Sequence, residues 1–222
     1  MILQTYPTRE ALMAGVAGAI AGQLRVALGL RRATLSVPGG TTPGPVFDHL
    51  AQVDLDWGRV WVVLNDERWV GEDSPRSNTR LLRERLLQGH AAKARLLPLY
   101  APLFEPEEAM DLLGQGIARH LPITVLLLGM GEDMHTASLF PGADRLAEAL
   151  APDAPVLMAL RAAGAGEPRI TLTAPVLRAA QNIHVLITGS AKRAALERAL
   201  QVTEVEAPIK VVLDRAVVHW AD

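Results

Sequence analysis

Short apolar runs alternate with amphipathic segments along most of this chain. Ala33–Val37 (ATLSV), Val60–Asn65 (VWVVLN), Ile123–Leu128 (ITVLLL) and Ile183–Thr188 (IHVLIT) are uncharged apart from one imidazole and rich in β-branched residues. Ile123–Leu128 and Ile183–Thr188 predict buried strands, as in a parallel sheet, Val60–Asn65 an apolar strand and Ala33–Val37 a short one. Arg95–Leu99, Val156–Leu160, Arg169–Leu172, Val211–Leu213 and Val217–Trp220 read as weaker strands. Between them lie helical patterns: Arg9 to about Leu28 after a capping Thr8, Gly44 to Ala51, Ser77 or Asn78 to about Leu87, Glu107 to Arg119, a brief turn after Thr173 with Pro175 inside it, and Gly189 to about Leu200. Strands alternating with helices predict an α/β fold: a three-layer sandwich with a largely parallel, Rossmann-like central sheet flanked by helices.

Four strands run straight into polar, charged or glycine-containing loops at 38–43, 65–70, 129–142 and 188–192. In a parallel sheet those loops open on one edge, where ligands of open α/β sheets bind. The richest is Gly129–Gly142 (GMGEDMHTASLFPG). Asp133 and His135 are two apart, so an extended loop turns both side chains the same way. A carboxylate beside an imidazole orients the ring and favours its charged form, as a general base requires. Gly39-Gly40-Thr41-Thr42 lies between a strand and a helix, where backbone N–H groups and two hydroxyls suit a phosphate. It is neither a Walker A loop nor G-x-G-x-x-G. Lys192 falls near a helix N-terminus, a poor place for a cation unless an anion is there. Arg169, after Pro168, is a third cation at a strand start. Asp66 could take hydrogen bonds from sugar hydroxyls, and Arg68 could bind an anion or neutralise an oxyanion. Glu67 has Arg68 as its nearest partner in sequence.

Composition narrows the classes. The 222 residues are expected to form one domain, 1–222. Half are hydrophobic and only 4% aromatic, so the core is Leu, Val, Ala and Ile. A net charge of -2 offers no general attraction to nucleic acid or anionic membrane. No cysteine is present, which removes disulfides and thiolate zinc and fits a cytoplasmic enzyme. The N-terminal apolar patch lacks a basic leader and reads as a buried helix, and no run is expected to reach membrane-spanning length. A metal at His135 would need more ligands than the spacing supplies. Ser138 lacks the G-x-S-x-G elbow of a nucleophile. His184, inside an apolar strand, reads as a satisfied core or edge residue.

Together, VPGGTTP at 37–43, NDERWV at 65–70, SPRSN at 74–78, LLLGMGEDMHTASLFPG at 126–142, RITLTAPVL at 169–177 and ITGSAKRAAL at 187–196 resemble the 6-phosphogluconolactonases of the pentose phosphate pathway. The resemblance implies His135 as the base that activates water and Asp133 as its orienter. It implies Gly39, Gly40, Thr41, Thr42, Arg169 and Lys192 around a 6-phosphate, and Asp66 and Arg68 at the ring end. No metal or organic cofactor is implied, and the partner is a small phosphorylated lactone, bound by a monomer or small homo-oligomer. The wider superfamily includes glucosamine-6-phosphate deaminase, the alternative enzyme; a non-catalytic sugar-phosphate sensor is the alternative of another class. Two positions depart from the family pattern. Pro38 stands where a serine is usual and has neither N–H nor hydroxyl. Met134 stands where glycine is usual, at a cost in strain if the loop needs positive φ there.

Overall fold

The computed structural model describes residues 1–163 and 166–222. In chain order its strands are β1 (Ile2–Thr5), β2 (Ala33–Val37), β3 (Val60–Leu64), β4 (Asp66–Arg68), β5 (Arg95–Leu97), β6 (Val125–Gly129), β7 (Leu157–Leu160), β8 (Arg169–Leu172), β9 (Asn182–Thr188) and β10 (Val217–Ala221). The α-helices are α1 (Arg9–Leu28), α2 (Gly44–Ala51), α3 (Asn78–Arg85), α4 (Met110–Ala118), α5 (Leu146–Leu150), α6 (Ala174–Arg178), α7 (Gly189–Ala199) and α8 (Lys210–Leu213).

Seven strands form one parallel sheet in the order β1-β10-β9-β6-β2-β3-β5. All five residues of β2 are buried, as are Val125–Leu128 of β6, which explains their unbroken apolar runs. Helices cover the sheet. Thr8 caps α1 by accepting the Ala11 N–H, and α1 lies across β2, β6, β9 and β10. By length and composition α1 could cross a membrane, contrary to the expectation that no run would. Its apolar residues nonetheless recur at helical spacing. Leu12, Val16, Ile20, Leu24 and Leu28 are buried in the core.

The chain runs outward from β2 through β3 to β5, then returns to the other side of β2 as β6, with β9 and β10 beyond. The direction of winding therefore reverses between β2 and β6, and the strand C-termini leave a crevice there.

Other expectations are corrected. Val211–Leu213 is not a strand but lies in α8, wound up after Pro208 by an N–H of Val211 donating to Pro208 O. A short buried apolar run has no periodicity to tell helix from strand. The strand at 156–160 and the one at 169–172 do not join the parallel sheet. With β4 they form a separate antiparallel sheet, β4-β8-β7. The segment read as a loop at 65–70 thus contains a strand, invisible as such because Asp-Glu-Arg carries no β pattern. The helix expected from Glu107 starts as a 3-10 turn, Pro106–Ala109, before α4.

Two buried residues fasten the sheets together. Asn65 donates its backbone N–H to Val37 O (2.8 Å) and accepts from the Leu172 N–H (2.9 Å). Its side chain accepts from Ser36 Oγ (2.6 Å) and donates to Leu127 O (2.7 Å). Ser138, in the loop after β6, donates Oγ–H to Asp66 Oδ2 (2.5 Å) and its N–H to Thr171 Oγ1 (3.2 Å). That hydroxyl is buried and committed, so it is not a nucleophile.

Candidate active site

The loop after β6 is a closed turn. The Gly131 N–H donates to His135 O (3.0 Å), the Met134 N–H to Gly131 O (3.0 Å), and Thr136 Oγ to Gly129 O (2.8 Å). From behind, the Ile209 N–H donates to Met134 O and Arg198 to Glu132 O. The turn puts Asp133 Oδ1 2.5 Å from His135 Nδ1. The same oxygen accepts the His135 backbone N–H at 3.3 Å. With Nδ1–H donated to the carboxylate, the ring's lone pair is on Nε2, the tautomer a base needs. A Cβ at Gly131 would collide with His135 Nδ1 and Asp133 Oδ1, so glycine there is a condition of the pair. Met134 has φ +67°, the strained conformation foreseen for a non-glycine residue. That strain costs about 1–2 kcal/mol.

Phe140 completes the setting. Its ring centroid lies 4.3 Å from that of His135, and the Arg169 guanidinium sits over it at 5.9 Å. The imidazole is thus held by a carboxylate at one edge and an aromatic face beside it.

One cavity of about 340 Å³ gathers most of the sequence candidates: Gly39, Gly40, Thr42, Asp66, Arg68, His135, Arg169 and Lys192 all line it. Asp133 is not on its wall and reaches it through His135. Thr41 is exposed and faces a neighbouring hollow with Arg9, Glu10 and His49 instead. Gly40 has φ +83°, a conformation glycine adopts without penalty. Lys192 lies in the first turn of α7 and makes no ion pair among the described residues. Those residues include no cluster of three His, Asp or Glu placed to hold a metal.

Arg68 and Arg169 stand opposite each other across β4 and β8. Directly facing like charges are unfavourable in a sheet. Burial, and then the Arg68 charge, push the Arg169 pKa down, against the opposing pull of Asp66 and Glu167. An anion in the cavity would relieve that crowding. Glu67 does not serve as the side-chain partner of Arg68. It is fully buried and accepts the N–H groups of Arg68 (2.8 Å), Asn78 (2.8 Å) and Thr79 (2.7 Å), binding β4 to the start of α3.

Asn78 and Phe140 also line the cavity and were not among the sequence candidates. Asn78 looked like a helix cap, but Ser77 accepts the Arg80 N–H and does that work. Phe140 carried a signal of its own, an aromatic within the loop that bears the base.

His184 is a core residue, as expected. It is 2.8 Å from His219 and 2.8 Å from Gln23 Oε1, and His219 is 2.9 Å from the Tyr6 hydroxyl. One arrangement satisfies every group with neutral rings: Tyr6 O–H donates to His219 Nδ1, His219 Nε2–H to His184 Nδ1, and His184 Nε2–H to Gln23. Burial pushes both imidazoles down to about 4.

Comparison with known proteins gives a consistent picture. Residues 7–220 match the family described as glucosamine-6-phosphate isomerases/6-phosphogluconolactonase. The chain is 40% identical to a 6-phosphogluconolactonase of Rhizobium meliloti (strain 1021), covering 99% of this chain and 98% of that one. It is 40% identical to one from Pseudomonas aeruginosa PAO1, covering 98% and 94%. The crystal structure of a 6-phosphogluconolactonase from Shewanella baltica OS155 superposes with a TM-score of 0.97 at 33% identity, over 100% of this chain and 98% of that one. A monomeric glucosamine-6-phosphate deaminase shares the fold, with a TM-score of 0.81 at 17% identity, over 99% of this chain and 96% of that one.

Proposed function

The chain belongs to the glucosamine-6-phosphate isomerase/6-phosphogluconolactonase family, and from that premise we propose that it hydrolyses 6-phospho-D-glucono-1,5-lactone to 6-phosphogluconate, with water activated by His135. The observation that carries the mechanism is His135, backed by Asp133, on the same cavity as Gly40, Thr42, Arg68, Arg169 and Lys192. A base and a set of anion-binding groups lie within one small space.

The substrate is an activated ester, so a covalent nucleophile is unnecessary. His135 Nε2 takes a proton from water as the water oxygen bonds to the lactone carbonyl carbon. Asp133 stabilises the imidazolium that forms. Negative charge gathers on the carbonyl oxygen, with Arg68 placed to balance it. When the carbon–ring-oxygen bond breaks, the imidazolium returns its proton to the leaving oxygen. Gly39 and Gly40 N–H groups, Thr42, Arg169 and Lys192 hold the 6-phosphate, and Asp66 offers its carboxylate to a sugar hydroxyl. A carboxylic ester hydrolase of a sugar phosphate, without cysteine, suits the cytoplasm.

The test is a timed assay on freshly made lactone, with spontaneous opening subtracted. His135→Ala should lower kcat by about 10²–10⁴-fold and leave the unfolding transition in place. Turnover close to wild type would reject His135 as the base. Ammonia release from glucosamine 6-phosphate would decide for the deaminase, and tight binding without hydrolysis for a sensor.

A further inference from the structure

Asn78 is 2% exposed, lines the cavity, and has every polar atom of its side chain engaged. Its Oδ1 accepts from Arg68 Nη1 at 2.5 Å, and its Nδ2 donates to Asp66 O at 3.0 Å. Its backbone N–H is held by Glu67 Oε1 at 2.8 Å. On its other flank is the glycine loop. The place a Cβ would take at Gly39 is filled by the Asn78 amide. The same side chain therefore touches the phosphate loop, the Arg68 guanidinium and the backbone of Asp66.

Arg68 is anchored at one end only. Nη1 is shared between Asn78 Oδ1 and Arg76 O (2.9 Å). Nε is buried and has no acceptor among the described residues. A buried donor left unpaired is costly, so the Arg68 side chain depends on its Nη1 contacts to hold its place. An arginine has many rotamers, so a fixed acceptor on Nη1 decides where Nε points.

We propose, building on the lactonase reading, that Asn78 is a positioning residue for the reaction. It aims Arg68 at the carbonyl end of the substrate and sets the distance from there to the phosphate loop. The role demands an amide, with one acceptor for Arg68 and one donor for Asp66 O. An aspartate would lose the donor and would place a negative charge against Gly39, where the phosphate sits.

A double-mutant cycle tests this, with kcat and KM measured on fresh 6-phosphogluconolactone and thermal unfolding recorded for each protein. Asn78→Ala should lower kcat on the order of 10²-fold by misplacing Arg68. Adding it to Arg68→Ala should cost little more, because its effect passes through Arg68. Independent, multiplying losses in the double variant would overturn the proposal. Asn78→Asp provides the second arm: its KM should rise above that of wild type, and an unchanged KM would also overturn it. If the wild type fails to accelerate lactone opening, the lactonase reading fails alone. The same cycle read by calorimetry of 6-phosphogluconate binding then decides Asn78, additive losses counting against it.

Discussion

Acid should weaken this fold in a window set by two buried histidines. His184 and His219 are almost fully buried and hydrogen-bonded as neutral rings, and burial pushes both from 6.5 to about 4. The unfolded chain therefore binds protons first as pH falls. Stability is fully present above 6.5 and is lost between 6.5 and about 4, below which both states are protonated. At pH 5 each ring should have cost about 2 kcal/mol relative to pH 8, and the two together about 4 kcal/mol. That is a large share of a typical net stability of about 5–15 kcal/mol. Asp48 and Glu107, held below the usual carboxylate range by Arg85 and Arg161, lose their contribution only at lower pH. His120 is also pushed down by burial, so its contribution has the same sign as that of the buried pair. Urea unfolding at pH 8, 7, 6 and 5 measures the effect. The midpoint should fall steadily below pH 7 at constant slope. A double variant, His184→Gln with His219→Gln, should start lower but lose most of the pH dependence. A wild-type midpoint flat from pH 7 to pH 5, or the same fall in the double variant, would refute the reasoning.

Lys192→Ala should raise KM for the phosphorylated lactone far more than for unphosphorylated gluconolactone; equal impairment of both would remove Lys192 from the phosphate site. Gly131→Ala should push Asp133 and His135 apart and lower kcat on the order of 10²-fold with the unfolding transition kept, and wild-type kcat would show that the pair tolerates a methyl group. Met134→Gly should be more stable than Met134→Ala by about 1 kcal/mol, since only glycine escapes the cost of φ +67°. The opposite order in thermal unfolding would mean that the turn carries no such strain.

The parts of the fold that could be read from the chain were those whose signal is local. Buried β2, β6 and β9 announce themselves as uncharged runs, and the α1 boundaries follow from Thr8 and Gly29. That most of the candidate residues would line one cavity was legible in the same way, because each candidate loop follows a strand that ends on one edge. What could not be read depended on partners distant in sequence. β4 is a strand only because β8 lies beside it, more than a hundred residues later. Asn78 could be recognised as a cavity residue only with Arg68 and Gly39 already in place. α8 was missed for want of any periodicity in so short a run. Thr41 and Thr42 both border the neighbouring hollow, and of the two Thr42 alone also lines the cavity, a difference that adjacency in sequence does not show.

Asn65 and Ser138 join two pieces of scaffold that carry different parts of the candidate site. The imidazole, the glycine loop and Lys192 ride on one piece; Asp66, Arg68 and Arg169 ride on the other. The gap between the His135 imidazole and the two guanidinium groups is thus set by the bonds at the seam together with the apolar core that both sheets share. Altering the Asn65 amide, buried behind the cavity wall, would loosen that seam and change the span of the whole mouth.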